Sequence, residues 1–347
     1  MFTSCNYEWS KENIHYVKIW NGAPGLTILS TFFLIILNLI KLRDKIDIVH
    51  IPYTSNDILA FPGLFGKKFI GLPYVIMIHG GMTLEWKFKM LHQSFFDNAN
   101  FIIAASERMK LEYEKRTSRA MKVIPPLMPF IKSGIPKDEL KKKYGFDTKD
   151  IVILYLGSIW YMKGSDVLLD AFISLGHDYI KSNNLQLLYV GEGIYGETSM
   201  KDELQRKTIE NNLSQYVKFF GSMPHEKVPE MYKIADIYVK PSLLEGSPVS
   251  LREAMFNGLP IIGSNVDGIN THLIHEKNGI LFEKGDSNDL RNKLIQLIED
   301  NDLAYRLGIT AKNDYSKQYV FQNMISDHLK IYKEVINLKH NSVLVKP

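Results

Sequence analysis

Short runs of Val, Ile, Leu, Phe and Tyr recur along the chain, each followed by a glycine or polar loop and then by apolar residues at helical spacing. Residues 46–51, 74–78 and 101–105 are such runs in the first part, and 151–156, 185–190, 217–220, 237–239 and 260–262 in the second. Runs with little polar alternation form strands buried on both faces. Strands that alternate with helices pair in parallel, because each crossover carries a helix. The pattern therefore predicts an α/β protein with two parallel sheets. Pro125, Pro126 and Pro129 lie between the two groups, where neither a helix nor a central strand can continue, and the charged segment Lys137 to Lys143 follows. A linker belongs there. It divides the chain into a first domain over 1–132 and a second over 133–319. Beyond them Phe321, Ile325, His328, Tyr332 and Val335 recur every three or four residues, which predicts an amphipathic helix over about 320–338.

Composition agrees with this picture and closes other routes. A chain of 347 residues is the size of roughly two domains, and 45% apolar with 23% charged residues is ordinary globular composition. The single cysteine, Cys5, excludes an intrachain disulfide and a cysteine-built zinc site, and it favours a reducing compartment. A net charge of +4, spread evenly, lacks the compact basic stripe that nucleic acid requires. Residues 1–6 show neither the positive start nor the apolar stretch of a signal peptide. The apolar segment 26–40 has 15 residues. As a helix it rises only about 22 Å, against about 30 Å of membrane hydrocarbon. It does not span.

Several motifs fail on inspection. Gly191, Gly193 and Gly196 fit the dinucleotide fingerprint, but the next strand, 217–221, ends without the acid that would hold a ribose. A plain strand-to-helix turn is expected instead. His79-Gly80-Gly81 could serve an esterase oxyanion loop, yet the chain has no G-x-S-x-G elbow to supply the nucleophile. His272 and His275 beside Glu276 lack a third metal ligand and read as a solvated helix face. Asp300-Asn301-Asp302 follows a helical pattern and reads as a cap and turn.

The stretch Pro241 to Gly258 says more. Ser247 is a suitable N-cap, Pro248 suits the first helical position, and Gly258 supplies the stop. A helix that starts after a glycine loop at a strand's carboxyl end points free N–H groups and a positive dipole at whatever binds there, which suits a diphosphate. Glu245 precedes this helix and Glu253 lies in its second turn. Carboxylates make poor phosphate ligands but good acceptors for sugar hydroxyls. They can equally be a loop acid and a helix residue, and composition leaves both readings open.

With Glu245 and Glu253 at E-x7-E spacing, the surroundings resemble the retaining glycosyltransferase family 4, of GT-B fold. Leu154-Tyr155-Leu156-Gly157-Ser158 through Lys163-Gly164, Val190-Gly191-Glu192-Gly193, Phe220-Gly221-Ser222-Met223 and Asn278-Gly279-Ile280-Leu281-Phe282 are similar to that family's segments in the same order. Asp47-Ile48-Val49-His50, His79-Gly80 and Ala104-Ala105-Ser106-Glu107 extend the resemblance into the first half, so that it covers residues 45 to 338.

The resemblance implies two Rossmann-like domains with parallel sheets facing across a cleft, the C-terminal helix packing back on the first. The implied activity is hexosyl transfer with retention, metal-independent, from a nucleoside diphosphate sugar to a glycan or lipid-linked acceptor, as in polysaccharide or glycoconjugate biosynthesis. No cofactor is implied beyond that donor. By the same resemblance Lys163 is the cation on the donor diphosphate, Glu245 holds donor-sugar hydroxyls and Glu253 the ribose. Gly191, Gly246, Ser247, Pro248 and Val249 pass close to the donor, Ser222 and Met223 lie near the base, and His79 stands beside the reacting centre.

Two departures shape the expectations. Ser158 stands where the family usually has arginine, which leaves Lys163 to work with the helix N-terminus alone. The family's opening strand and Gly-Gly loop have no counterpart, so an incomplete first sheet is expected. A nucleotide-sugar epimerase of the same fold and a catalytically impaired nucleotide-sugar-binding homologue stay open as alternatives. Segment 26–40, followed by Lys41, Arg43 and Lys45, is either a buried helix or one that docks on anionic lipid. The second reading suits a cytoplasmic enzyme peripheral on the inner face of a membrane.

Overall fold

The computed structural model describes residues 24–53, 60–79, 89–125, 132–193, 199–318 and 321–344. Gly80, Gly81, Ile194, Tyr195, Gly196, residues 1–23 and Pro126 to Pro129 lie outside them. The chain divides into two compact units, Met1–Leu127 with Phe321–Pro347, and Met128–Val320.

The first unit holds four parallel strands in the order β1-β2-β3-β4: β1 Val49–Tyr53, β2 Tyr74–Ile78, β3 Phe101–Ala104 and β4 Met121–Val123. Every residue of β2 is buried, as a central parallel strand requires. Its core is aromatic. Tyr74 stacks on Phe95 with centroids 5.4 Å apart, and Tyr53 meets Phe96 edge-on at 5.3 Å. The helix Pro24–Lys41 buries Ile35 and Leu39 with Leu72. The helix Phe321–Leu344 returns to this unit, where the Tyr332 hydroxyl lies 2.8 Å from His50 Nδ1 and Lys122 pairs with Asp327 at 2.5 Å.

The second unit carries six parallel strands: β5 Ile151–Leu156, β6 Leu185–Val190, β7 Val217–Phe219, β8 Ile237–Lys240, β9 Ile261–Ser264 and β10 Ile280–Phe282. Their order is β10-β9-β8-β5-β6-β7. Both faces are covered. Tyr155, Leu187 and Tyr189 pack with Phe172 and Leu294 on one side, and Leu154 and Leu188 pack with Met231, Leu251 and Met255 on the other. Chain order runs outward from β5 in one direction and resumes at β8 in the other. In open α/β sheets such a reversal leaves a crevice at the strands' carboxyl ends, and ligands bind there.

Eight strands lie where the apolar runs predict them. The strands β4 and β10, each at one edge of its sheet, are not among the predicted runs. Each has three residues, and β4 carries Lys122 in its middle, so neither builds a recognisable apolar run. Asp300 accepts from Leu303 N–H at 2.8 Å and caps the helix Asn301–Gln318, as its position predicts.

Central burial and capping differ in energy by a known factor. Leu188→Ala, in a strand with neighbours on both sides, should cost about 3 kcal/mol. Asp286→Ala should cost about 1 kcal/mol, since Asp286 caps the helix Ser287–Glu299 by accepting from Asn288 and Asp289 N–H. Urea midpoints of the two variants check that ordering.

Candidate active site

The carboxyl ends of β5, β6 and β8 bring together most of the residues singled out above. At β6 the chain turns through Gly191, whose φ is +140°, and a Cβ there would stand 1.9 Å from the Gly157 carbonyl oxygen. Only glycine lets these two strand ends approach so closely. After β5, Lys163 sits on the short turn Tyr161–Lys163, and Gly164 passes so near β8 that a Cβ would meet the Pro241 carbonyl at 2.0 Å. Leu243 N–H donates to the Met162 carbonyl at 2.9 Å and ties the two loops together.

These loops enclose one carboxylate and two ammonium groups. Glu245 Oε1 lies 2.8 Å from Lys163 Nζ and 3.0 Å from Lys240 Nζ, and it accepts from Ser242 Oγ at 2.9 Å. Lys240 is 4% exposed and Glu245 8%, whereas Lys163 is 26% exposed. Burial pushes the Lys240 ammonium below its ordinary pKa, with the Glu245 charge opposing that fall. Burial alone would raise Glu245, but the charges of Lys240 and Lys163 outweigh it and hold the carboxyl below its usual range. Two cations against one anion leave an excess positive charge at the crevice. Such a site favours an anion.

The structure adds a second cation that the sequence reading did not include, Lys240, which pairs with Glu245 rather than standing free at the crevice. Ser158 is exposed and contributes its carbonyl to the Tyr155 hydroxyl at 2.6 Å, while the second cation arrives from β8. The signal was present in the sequence, as a lysine closing an apolar strand directly before Pro241-Ser242.

Glu253 has a different setting. It is buried in the helix Val249–Asn257 and accepts from the Tyr232 hydroxyl at 2.8 Å. Burial raises its pKa, and the Tyr232 hydrogen bond opposes that rise without cancelling it. The helix begins one residue later than expected. Pro248, extended at φ −69° and ψ 119°, is the N-cap, and no side chain caps the first turn. Ser247 lies one residue before that cap, with its hydroxyl 3.4 Å from His272 Nε2. Burial pushes His272 down to about 4, and the Arg252 charge adds to the shift. Gly258 ends the helix in the left-handed region at φ +76°, as its type predicts.

The remaining residues are placed as follows. Gly246, Ser247 and Val249 are half-buried around the start of that helix, and Pro248 is buried. Ser222 is exposed after Gly221, and Met223 packs partly against the core. His79 belongs to the first unit, at the end of β2, with its N–H on the Tyr53 carbonyl at 2.9 Å. His272 and His275 do not share a helix face. The short helix Asp267–Asn270 ends before them, and His275 Nδ1 accepts from Leu281 N–H at 3.0 Å. Among the described residues no group of three His, Cys, Asp or Glu side chains could hold a metal ion.

Comparison with known proteins agrees with this architecture. Residues 136–314, just over half of the chain, match the family model described as "Glycosyl transferases group 1". The chain is 26% identical over 338 residues to an uncharacterized glycosyltransferase of Methanocaldococcus jannaschii, spanning 94% of this chain and 86% of that protein. It is also 26% identical over 324 residues to the UDP-Gal:alpha-D-GlcNAc-diphosphoundecaprenol alpha-1,3-galactosyltransferase of Escherichia coli, spanning 88% and 77% of the two chains. In fold it matches HepE of Anabaena, solved in complex with UDP and glucose, with a TM-score of 0.76 and 18% identity over 91% of this chain and 85% of that one.

The opposite pKa directions of the two glutamates predict opposite stability profiles. Glu245 is depressed, so its stabilising effect is present above the ordinary glutamate value of 4.5 and lost as pH falls through its folded value. Glu245→Gln should therefore be less stable than the parent at pH 7, with the gap closing on acidification. Glu253 is raised, so its ionisation weakens the fold as pH climbs above 4.5. Glu253→Gln should be the more stable protein at pH 7 and should match the parent near pH 4. Urea unfolding of both variants between pH 4 and pH 8 checks the two signs.

Proposed function

The chain belongs to the glycosyl transferases group 1 family, and on that premise we propose that it is a retaining, metal-independent hexosyltransferase. Its donor is a nucleoside diphosphate sugar, and its acceptor is a glycan or a lipid-linked glycan. One observation carries this reading: two lysines and one buried carboxylate gathered at the sheet's reversal point, beside a helix N-terminus that no side chain caps. The fold match to HepE, which was solved with UDP and glucose, and the UDP-Gal donor in the name of the Escherichia coli relative support the donor class. That relative's diphosphoundecaprenol substrate supports a lipid-linked acceptor.

As the anomeric C–O bond breaks, its electron pair goes to the departing diphosphate, and Lys163 with the helix N-terminus offsets the new charge. Preorganised charges aimed at a developing anion lower the barrier because they need no rearrangement at the moment of reaction. The acceptor hydroxyl attacks the same face and gives its proton to a diphosphate oxygen. Lys163 and the helix N-terminus do the work that a divalent ion would otherwise do. Glu245 accepts hydrogen bonds from donor-sugar hydroxyls, and Glu253, steadied by Tyr232, accepts them from the ribose. Gly191, Ser222 and Met223 line the nucleotide side. His79 is assigned to the reaction on the family resemblance alone.

A membrane surface is the proposed setting. The helix Pro24–Lys41 presents Phe33, Leu37 and Ile40 outward, 58%, 60% and 45% exposed, at the spacing of one helix face. It packs against the turn Gly66–Ile70, where Phe69 is 76% exposed beside Lys67 and Lys68. The segment is thus neither wholly buried nor wholly free. Exposed apolar side chains with the exposed lysines Lys41 and Lys68 in the same two segments suit insertion at an anionic lipid surface. Among the described residues no helix is long and apolar enough to cross a membrane.

Incubation with radiolabelled nucleotide sugars and membranes tests the activity. Label on an acceptor supports transfer, while an altered free sugar would mean an epimerase. Lys163→Ala should lower kcat/KM by about 100-fold. Glu253→Gln should weaken nucleoside diphosphate binding by about tenfold with a smaller effect on kcat. Flotation tests the surface. The protein should rise with vesicles containing phosphatidylglycerol but stay down with phosphatidylcholine alone, and the variant with Phe33→Ser and Phe69→Ser should stay down with both.

A further inference from the structure

Both ammonium groups and the Ser242 hydroxyl converge on a single oxygen of Glu245. Lys163 is the more exposed of the two cations, so an arriving diphosphate would draw its ammonium toward the crevice and away from that oxygen. Stripped of its partners, a buried carboxylate would take up a proton rather than stay charged. The two lysines differ in what they can do about this. Lys163 rides on a three-residue turn and is 26% exposed, so its stem can swing outward. Lys240 is 4% exposed, and its backbone is locked in the sheet opposite Gly263. Its ammonium also lies beside the end of β5, 3.6 Å from where a Cβ on Gly157 would stand. It has nowhere to go.

We propose that Lys240 is a positioning residue that keeps Glu245 ionised and in place while Lys163 leaves it for the donor diphosphate. This rests on the donor site proposed above and adds a counter-ion exchange to it. One carboxylate shared by a mobile and a fixed cation can release the mobile one without being left alone. The exchange moves one ammonium group and transfers no proton.

The other groups around Glu245 leave this division intact. The Tyr155 and Tyr238 hydroxyls donate elsewhere, to the Ser158 carbonyl and Ser250 Oγ, and burial holds both neutral. His272, beside Ser247, is neutral above about 4. Gly268 brings only backbone against the Glu245 carbonyl, and its neighbour Asp267 is exposed. Among the described residues, Lys240 and Lys163 are the cations in ion-pair contact with the carboxylate.

Calorimetric titration with UDP and GDP, in buffers of different ionisation heat between pH 7.5 and 8.5, tests the exchange. The parent protein should bind one of the two nucleotides with no net proton uptake. In Lys240→Met the fixed cation is gone, so departure of Lys163 should be accompanied by protonation of Glu245. Binding should then take up close to one proton and weaken up to tenfold for each pH unit of rise. Lys163→Ala should bind weakly but without that proton. Equal affinity and equal proton uptake in Lys240→Met and the parent would overturn the proposal. Should Lys240→Met fail to fold, the comparison moves to Glu245→Gln with and without Lys240→Met. A residue acting through Glu245 should then change affinity less than threefold, whereas a loss of tenfold or more would mean that Lys240 holds the diphosphate itself. If the parent protein binds neither nucleotide, the donor reading falls, a result distinct from failure of the exchange.

Discussion

The second unit is organised around a carboxylate that cannot be solvated. Glu245 is buried at the point where the sheet's strand order reverses, and its charge is sustained by Lys163 from one side of the reversal and Lys240 from the other. Removing such ions from water is costly, and close opposite charges recover that cost only when geometry is held tightly. The close packing of Gly164 on Pro241, the Met162 to Leu243 hydrogen bond and the Ser242 hydroxyl supply that geometry. The loops after β5 and β8 are therefore one structure, and the excess positive charge they carry is the property from which the proposed donor site follows.

The two glutamates flanking the helix start are of one residue type, but their environments differ. Glu245 is surrounded by cations and Glu253 by the Tyr232 hydroxyl and apolar neighbours, so burial dominates only in the second case. A carboxylate that weakens the fold when ionised is hard to explain as a structural device. It fits a group retained for hydrogen bonding to a ligand, which is the part assigned to it here.

The first unit poses the complementary problem of apolar side chains left in water. Ile35 and Leu39 anchor the helix Pro24–Lys41 to the unit, and the opposite face carries Phe33, Leu37 and Ile40 outward. Scattered exposed hydrophobics need no explanation, but three on one helix face form a stripe.

Much of this was legible in the chain alone. Parallel sheets buried on both faces need unbroken apolar runs, and eight of the ten strands announce themselves that way. The helix stop at Gly258 and the cap at Asp300 are equally local, since each depends on one residue's backbone or side chain. Short edge strands such as Met121–Val123 are invisible because pairing on one side asks little of the sequence. The N-cap at Pro248 escaped because proline fits either the cap or the first helical position, and the two differ only in backbone conformation. Lys240 is the clearest case. Read along the chain it is a lysine at a strand end, five residues before a loop glutamate. Only the pairing of β8 with β5 brings it against Glu245 together with a lysine 77 positions earlier in the chain. Local backbone preference is encoded residue by residue, but electrostatic environment is set by whichever charges the fold brings within a few ångströms.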